Sequence, residues 1–499
     1  MRSIQDLLRA GRFEAAIAAG ERAVEQSPGD AEAWAGLAAG LFAARRPEAA
    51  LDAWDRALAL APGAPDGLCG KGTVLQSLGR IEEAQALYQQ ALARDPLLFE
   101  AAFSLALLAV DAGDWAGAER WAAPLQARHG EAPSLRWLGA RVALGRGEFA
   151  TAHARLLSLL RDARLGPDQR ADALLLLGEA LDALGRTAEA FQAAVAGKGL
   201  QRRLYAERAQ GRESAVGRFE RLATWFRAAA PEPWASAPAM PPAPGQAARH
   251  VFLVGFPRSG TTLLEQALAG HPDVATLEEA PTLAAAHAEF MSGPQDLGRL
   301  SRLSAEEAAG WRARYWSEVA RHGADAAGRT FIDKAPAGTV DLPLVAKLFP
   351  EARILFAIRD PRDVVLSCLR NNFQLNAMTY AFTDLQEAAA CYATGMALAD
   401  IYRAVLPLAW IDVRHEALIE DFEPGLAAIC RFLELELNPA MTDVAATARS
   451  RSVRTPSAAQ VRAGLNRKGV GRWRAYEAEL SPVLPMLVRW VERFGYEPA

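Results

Sequence analysis

The sequence has few cysteines, almost no excess charge and no long apolar run. Its four cysteines, Cys69, Cys368, Cys391 and Cys430, include no C-x-x-C pair, so neither a disulfide framework nor a zinc site is indicated. Lys and Arg number 55 against 59 Asp and Glu, so the protein as a whole lacks the net positive charge that attracts nucleic acid. No segment approaches the ~18 apolar residues of a membrane span, and residues 1–19 lack the apolar core of a signal peptide. We therefore expect a cytoplasmic protein that binds neither nucleic acid nor membrane and holds no metal.

A period of 34 residues runs through the first part of the chain. The positions that share it, with one arginine in a glycine's place, are Pro28, Pro62 and Pro96, then Gly11, Arg45, Gly79, Gly113 and Gly147. The pattern resembles the tetratricopeptide repeat, in which small residues let paired helices approach closely and stacked pairs form a solenoid. We expect about five to six helix pairs over residues 1–200, with an ordinary alanine-rich helical bundle as the alternative.

The composition changes twice after the repeats. Helical spacing of apolar residues continues over 201–230, which predicts a helix that caps the repeat array. Residues 231–248 are rich in proline and predict an extended linker. From 249 to 499, short apolar segments alternate with helical ones, which is typical of an α/β domain with a mainly parallel sheet. The predicted fold is thus multidomain, an α-solenoid joined to an α/β domain.

The α/β region begins with a strand, a turn and a helix, and elements in this order can bind an anion. His250–Gly255 predicts a buried strand and Thr261–Leu268 begins a helix, so the turn between them presents backbone N–H groups to an anion. An ATP-type loop would carry a lysine before the final Ser or Thr. Here Thr261 occupies that place, and the positive charge lies on Arg258 inside the turn. The segment therefore fits a phosphate-like group better than it fits a nucleoside triphosphatase.

The turn, Phe256-Pro-Arg-Ser-Gly-Thr-Thr262, resembles the 5′-phosphosulfate loop of sulfotransferases, which use 3′-phosphoadenosine 5′-phosphosulfate (PAPS) as donor. The segments His271–Val274 and Glu278-Glu279 are similar to the tyrosylprotein sulfotransferase branch and its bacterial relatives that carry tetratricopeptide repeats. The likeness extends over about residues 249–499. It implies that the donor's 5′ side is held by Arg258, Ser259, Gly260, Thr261 and Thr262.

A second anion site is expected at the next strong strand. Ile354–Ile358 predicts a buried strand, Arg359 follows it, and Ser367 lies eight residues further on. An arginine fork and a hydroxyl at this spacing can converge on one phosphate. In the family, the matching arginine and serine bind the 3′-phosphate. A surface salt network within Arg359–Asp363 is the alternative.

Sulfuryl transfer needs a base for the acceptor proton and cations where charge develops on the leaving oxygen. The resemblance implies that Glu279, 21 residues after Arg258, is the base, and we expect Glu278 to face another way. It also implies that Lys334, at the end of the strand-like segment Thr330–Lys334, stabilises the bridging oxygen.

The C-terminal region adds further candidates by resemblance. Ser457 matches a serine near the transferred group, and Arg472 stands where the family has a lysine that contacts the donor. Both lie in the basic segment 449–474, which we interpret as a lid over the nucleotide, with a solvated surface loop as the alternative. His415 replaces a tyrosine of the family, and the sequence assigns it no role.

We predict an enzyme that moves a sulfuryl group from PAPS to an acceptor hydroxyl, without a metal. The first choice of acceptor is a tyrosine-like hydroxyl on a protein or peptide docked on the repeats. The alternatives are a small-molecule or saccharide acceptor, an NTP-dependent kinase, and a non-catalytic repeat scaffold. The sequence also leaves a homodimer open.

Overall fold

The computed structural model describes residues 4–130, 132–229, 233–234, 242–451, 455 and 457–498. The chain divides into two compact units, Met1–Leu165 and Gly166–Ala499. Within the described ranges, no helix combines the length and the hydropathy that crossing a bilayer requires.

The first unit is a succession of helices that pack on their sequence neighbours. Small residues lie at the contacts: Ala16, Ala38 and Ala50 are fully buried. A Cβ at Gly20 would come within 2.8 Å of the Leu37 backbone, so these two helices pack at a distance that only glycine permits. The helices are α1 (Ile4–Arg9), α2 (Phe13–Gln26), α3 (Ala31–Ala43), α4 (Pro47–Leu60), α5 (Pro65–Ser77), α6 (Ile81–Arg94), α7 (Phe99–Ala112), α8 (Trp115–His129), α9 (Pro133–Gly145) and α10 (Phe149–Leu160).

The 34-residue period marks the turn inside each helix pair. Gly11, Gly79, Gly113 and Gly147 all have φ between 67° and 79°, the left-handed region that glycine adopts without a steric penalty. The position between the first two, Arg45, has φ 63°. The backbone therefore imposes the same turn at every copy, including the one where the sequence has arginine.

Arg45→Gly is expected to stabilise the protein by about 0.5–1 kcal/mol, because it relieves the left-handed strain of a residue with a Cβ. The neighbouring Ala44 has φ −79°, so Ala44→Gly gains no such relief and should destabilise α3's end. The free energy of unfolding from urea titration, followed by circular dichroism, measures both. A loss of stability in Arg45→Gly comparable to that in Ala44→Gly would contradict the strain argument.

The second unit opens with three helices and continues as an α/β domain. Its five strands form one parallel sheet, and the sequence predicts the parallel arrangement. The strand order is β2-β3-β1-β4-β5. The elements are α11 (Pro167–Ala183), α12 (Thr187–Ala209), α13 (Ala215–Ala228), β1 (Arg249–Gly255), α14 (Thr261–Ala269), β2 (Val274–Glu278), α15 (Ala284–Phe290), α16 (Pro294–Ser301), α17 (Ala305–Arg321), β3 (Thr330–Lys334), a 3₁₀ turn (Pro336–Asp341), α18 (Leu342–Leu348), β4 (Arg353–Ile358), α19 (Pro361–Arg370), α20 (Ala377–Ala381), α21 (Leu385–Val405), β5 (Ala409–Arg414), α22 (His415–Glu420), α23 (Phe422–Leu433), a 3₁₀ turn (Pro439–Thr442), α24 (Val444–Ser450), α25 (Ala458–Arg462), a 3₁₀ turn (Arg472–Tyr476), α26 (Glu477–Leu480) and α27 (Leu484–Arg493).

The sheet separates two hydrophobic cores. Along β1, Phe252 and Val254 belong to the larger core, while Val251 and Leu253 belong to the smaller one, as the alternation of a strand requires. Both faces are covered, which is the usual condition of a parallel sheet. Because all strands run the same way, their carboxyl ends meet at one edge. The predicted residues Arg258, Glu279, Lys334 and Arg359 lie at or just after the carboxyl ends of β1, β2, β3 and β4.

The segment between repeats and sheet is packed where the structure describes it. Phe219 of α13 contacts Gly395 of α21, so the apolar face of the predicted cap is covered by the α/β domain. Trp234 of the predicted linker is buried, and its ring packs on that of Phe226, which in turn packs on the ring of Tyr402. Residues 231–232 and 235–241 of the predicted linker lie outside the described residues. As domain limits, 200, 230 and 248 stay predictions.

Candidate active site

The predicted phosphate loop joins β1 to α14 through a turn with two left-handed residues. Arg258 has φ 73° and Gly260 has φ 92°. The Ser259 N–H donates to the Phe256 carbonyl at 3.1 Å and closes the turn. A Cβ at residue 260 would lie 2.3 Å from Nδ1 of His415, so glycine is required there by space as well as by φ. The turn places the N-terminus of α14, which begins with Thr261 and Thr262, at the carboxyl edge of the sheet.

The buried side chain of Arg258 connects three parts of the chain. Its Nε donates to Ser367 Oγ at 2.9 Å, and its Nη1 donates to Ser457 Oγ at 2.6 Å. Its Nη2 donates to Oε1 of Gln460 at 3.3 Å. Burial, together with the charge of Arg359, lowers the pKa of Arg258 to about 10, so the guanidinium stays charged at neutral pH. The structure thus brings three predicted residues into direct contact and adds Gln460.

Arg359, the predicted partner of the 3′-phosphate, lies beside this group. Its Nη1 donates to the Arg258 carbonyl at 3.0 Å, and its Nη2 donates to the Gly469 carbonyl. Its Nε is buried and donates to none of the residues that the structure describes. The guanidinium is therefore a buried cation with a donor left over, which is the arrangement that an anionic ligand would complete.

The loop around Gly469 is anchored by a buried carboxylate. Asp363 accepts hydrogen bonds from the backbone N–H groups of Gly471 and Trp473, both at 2.7 Å. Burial raises the pKa of Asp363 to about 6. The side chain of Arg472 pairs with Asp182 of α11. The predicted donor contact of Arg472 stays a prediction, and Arg454 of the predicted lid lies outside the described residues.

The ammonium of Lys334 at the end of β3 is surrounded by carboxylates. Its Nζ lies 2.9 Å from Glu279 Oε1, 3.1 Å from Glu278 Oε1 and 3.6 Å from Glu265 Oε2. The expectation that Glu278 faces another way is wrong. Glu279 has φ 50°, and its N–H donates to the Lys334 carbonyl at 2.7 Å. This left-handed turn directs both adjacent carboxylates to one ammonium.

The electrostatics of this cluster assign different roles to its members. Burial by itself would lower the pKa of Lys334, but the carboxylates of Glu265, Glu279 and Glu278 outweigh it and raise the pKa. Burial raises the pKa of Glu265 even with the ammonium nearby. The Glu279 side chain is 48% exposed, against 16% for Glu278 and 1% for Glu265. Lys334 is thus a fixed cation, and Glu279 is the carboxylate that an incoming molecule can reach.

The other predicted loop residues lie at the same edge. Thr261 and Ser259 are buried, and Thr262 Oγ1 is 3.0 Å from Oγ1 of Thr455. This contact ties the phosphate loop to the segment that also carries Ser457. Among the described residues, no group of three or more His, Cys, Asp or Glu side chains is arranged to hold a metal ion.

Sequence reasoning missed three residues of the site. The sequence analysis does not single out Gln460, and it includes Asp363 only as part of a surface salt network. His415, at the start of α22, lies against Gly260, where burial and the charges of Arg359 and Arg258 lower its pKa to about 3. Its position directly after β5, at the carboxyl edge of the sheet, is the sequence feature that could have placed it in the site.

Comparison with family models divides the chain in the same way. Residues 250–439 match the sulfotransferase family. Residues 7–69, 69–133 and 138–199 match the tetratricopeptide repeat. The predicted repeats and the predicted nature of the α/β domain are confirmed.

Similar proteins include both uncharacterised and named ones. An uncharacterised protein of Aquifex aeolicus is 27% identical over 246 residues, which cover 48% of this chain and 32% of that protein. Protein-tyrosine sulfotransferase 1 of Danio rerio is 26% identical over 267 residues, which cover 50% of this chain and 72% of that protein. Among solved structures, the sulfotransferase domain of an olefin synthase from Synechococcus PCC 7002 is 24% identical, with a TM-score of 0.30 over 48% of this chain and 91% of that domain. The α/β domain therefore matches the sulfotransferase family over residues 250–439, and the residues ahead of it match the tetratricopeptide repeat.

Proposed function

We propose that this protein transfers the sulfuryl group of PAPS to the hydroxyl of an acceptor. The observation that carries the proposal is the buried pair Arg258 and Arg359, whose guanidinium groups donate to hydroxyl, amide and carbonyl oxygens. Two adjacent buried cations that form no ion pair with a carboxylate of the described residues are suited to a ligand with several negative charges. The cytoplasmic location stays a prediction.

The donor would contact residues from four elements. The turn and the start of α14 offer backbone N–H groups and hydroxyls to the 5′ side, and Arg359 with Ser367 would hold the 3′-phosphate. The unused Nε of Arg359 is the donor atom that such a phosphate would satisfy. The residues assigned to the donor are Arg258, Ser259, Gly260, Thr261, Thr262, Arg359, Ser367 and Arg472.

The proposed reaction is an in-line displacement at sulfur. Glu279 takes the proton of the acceptor hydroxyl, whose oxygen forms the new bond to sulfur. The bond between sulfur and the oxygen bridging to phosphate breaks, and that oxygen leaves with the electron pair. Lys334 and Arg258 stabilise its negative charge, while Ser457, which Arg258 orients at 2.6 Å, lies where it can contact the transferred group.

The acceptor is proposed from the repeats and from the relatives. A helical-repeat array offers an extended surface for a protein or peptide, and a matching relative is named for protein tyrosine. A tyrosine hydroxyl on a protein or peptide docked on the repeats is therefore the first choice. A homodimer is compatible with this arrangement but not needed for it.

Calorimetric titration with 3′-phosphoadenosine 5′-phosphate tests the donor site. We expect binding that Arg359→Ala weakens by about 10-fold or more, since a charge-assisted hydrogen-bond partner is lost. Arg431→Ala removes an exposed arginine of the same domain and should leave the affinity unchanged. Thermal unfolding of each variant shows whether the fold is kept.

Titration with ATP and magnesium, run in parallel, separates the rival functions. Preferential binding of ATP would point to a kinase, and binding of neither nucleotide would point to a repeat scaffold with an inactive nucleotide fold. Either result would overturn the proposed function.

A further inference from the structure

A cavity of about 270 Å³ lies beside the reacting carboxylate. Its wall includes Ala280 and Pro281, which directly follow Glu279, and Ala335, which directly follows Lys334. The volume is close to the ~300 Å³ at which small-molecule pockets begin. The cavity therefore borders the place where an acceptor hydroxyl must lie if Glu279 is to take its proton.

A buried carboxylate with an unused oxygen lines this cavity. Oδ2 of Asp333 accepts hydrogen bonds from Tyr315 at 2.7 Å and from Thr282 at 2.8 Å. Oδ1 is buried and accepts from none of the residues that the structure describes. Asp333 as a whole is only 2% exposed. A buried acceptor without a donor is costly, so a ligand that supplies a donor gains affinity here.

Two carboxylates line the cavity. Burial raises the pKa of Asp333 to about 6, so the carboxylate is mainly ionised at neutral pH. Asp341 is a second lining carboxylate, with its Oδ1 2.6 Å from Nδ1 of His287. The described lining includes no lysine or arginine, and apolar side chains such as Phe252 and Val254 form much of the rest. An apolar group that ends in a cation fits such a surface.

We infer that this cavity binds an ammonium group of the acceptor, so that the acceptor is a hydroxyl compound with an apolar body and a cationic amine. The ammonium donates to Oδ1 of Asp333 while the hydroxyl lies at Glu279. The inference rests on the proposed function, which makes Glu279 the base. Two sources share this chemistry: a small aryl amine, and a peptide with a lysine next to its tyrosine.

Matched acceptors test the inference and separate the two sources. Tyramine and 4-ethylphenol differ in the amine, and two pentapeptides with lysine or glutamine beside a central tyrosine differ in the same way. We expect kcat/KM for the amine member of at least one pair to exceed that of its neutral partner by about 10-fold or more. A preference confined to the first pair identifies a small amine, and one confined to the second identifies a peptide.

Two variants assign the preference to its residue. Asp333→Asn keeps an oxygen for Tyr315 and Thr282 but removes the charge, so it should abolish the preference for the amine, measured as the ratio of kcat/KM between the two members of each pair. Asp325→Asn changes an exposed aspartate of the same domain and should keep the preference. No preference in either pair, or a preference that survives Asp333→Asn, would overturn the inference.

Binding without turnover keeps the test independent of the reaction. Phenethylamine has the amine but no hydroxyl, and it should bind the wild-type protein in a calorimetric titration with or without the bisphosphate nucleotide. Failure of phenethylamine to bind while the nucleotide binds would overturn the cavity's assignment and leave the donor site standing. Failure of the nucleotide to bind would overturn the proposed function itself.

Discussion

Replacement of Glu279 by glutamine is expected to lower kcat for sulfuryl transfer by about 10²–10⁴-fold, the usual contribution of a general base. The carboxylate is held 2.9 Å from the Lys334 ammonium and is 48% exposed, so it can meet an acceptor. Glutamine preserves the size of the side chain but cannot take a proton. Affinity for 3′-phosphoadenosine 5′-phosphate should stay within about twofold, because the donor contacts assigned above do not include Glu279.

Glu278→Gln is the matched control for this prediction. Glu278 also reaches the same ammonium, at 3.1 Å, but it is only 16% exposed. Initial rates with saturating PAPS and a tyrosine peptide or tyramine should therefore show a much smaller loss. Equal losses in the two variants would mean that the carboxylates act by holding Lys334, and the assignment of Glu279 as base would be wrong.

The repeats and the sheet could be predicted because they depend on local rules. A left-handed turn recurs every 34 residues, and glycine fills it at Gly11, Gly79, Gly113 and Gly147. The β1 strand is apolar on both sides because helices cover both faces of a parallel sheet. In such cases one segment of sequence carries the whole physical reason for its structure.

The parts of the site that escaped prediction depend on contacts between distant segments. Arg472 and Asp182 are 290 residues apart, and no local pattern pairs them. The orientation of Glu278 depends on a positive φ at the next residue, which is rare for glutamate. The unused oxygen of Asp333 becomes visible only when Tyr315 and Thr282 are placed around it.

Replacement of Lys334 by methionine is expected to destabilise the protein by about 3–5 kcal/mol and to abolish transfer. Removing one partner of a buried ion pair leaves the other charge without compensation. Here the ammonium is fully buried, and Glu265, 3.6 Å away, is 1% exposed. Methionine fills a similar volume, so the loss reports the charge and not a cavity. Urea unfolding measures the stability, and the transfer assay measures the activity.

A double variant separates the two effects of this lysine. Lys334→Met with Glu265→Gln removes the stranded carboxylate, so it should recover much of the stability but none of the activity. Lowering the pH should help the single variant in the same way. The pKa of Glu265 is already raised by burial and rises further without the ammonium, so the folded state binds a proton that the unfolded chain releases, and its stability increases as the pH falls. Recovery of transfer in the double variant would show that Lys334 serves the fold alone, and the charge on the leaving oxygen would then have to be stabilised by Arg258.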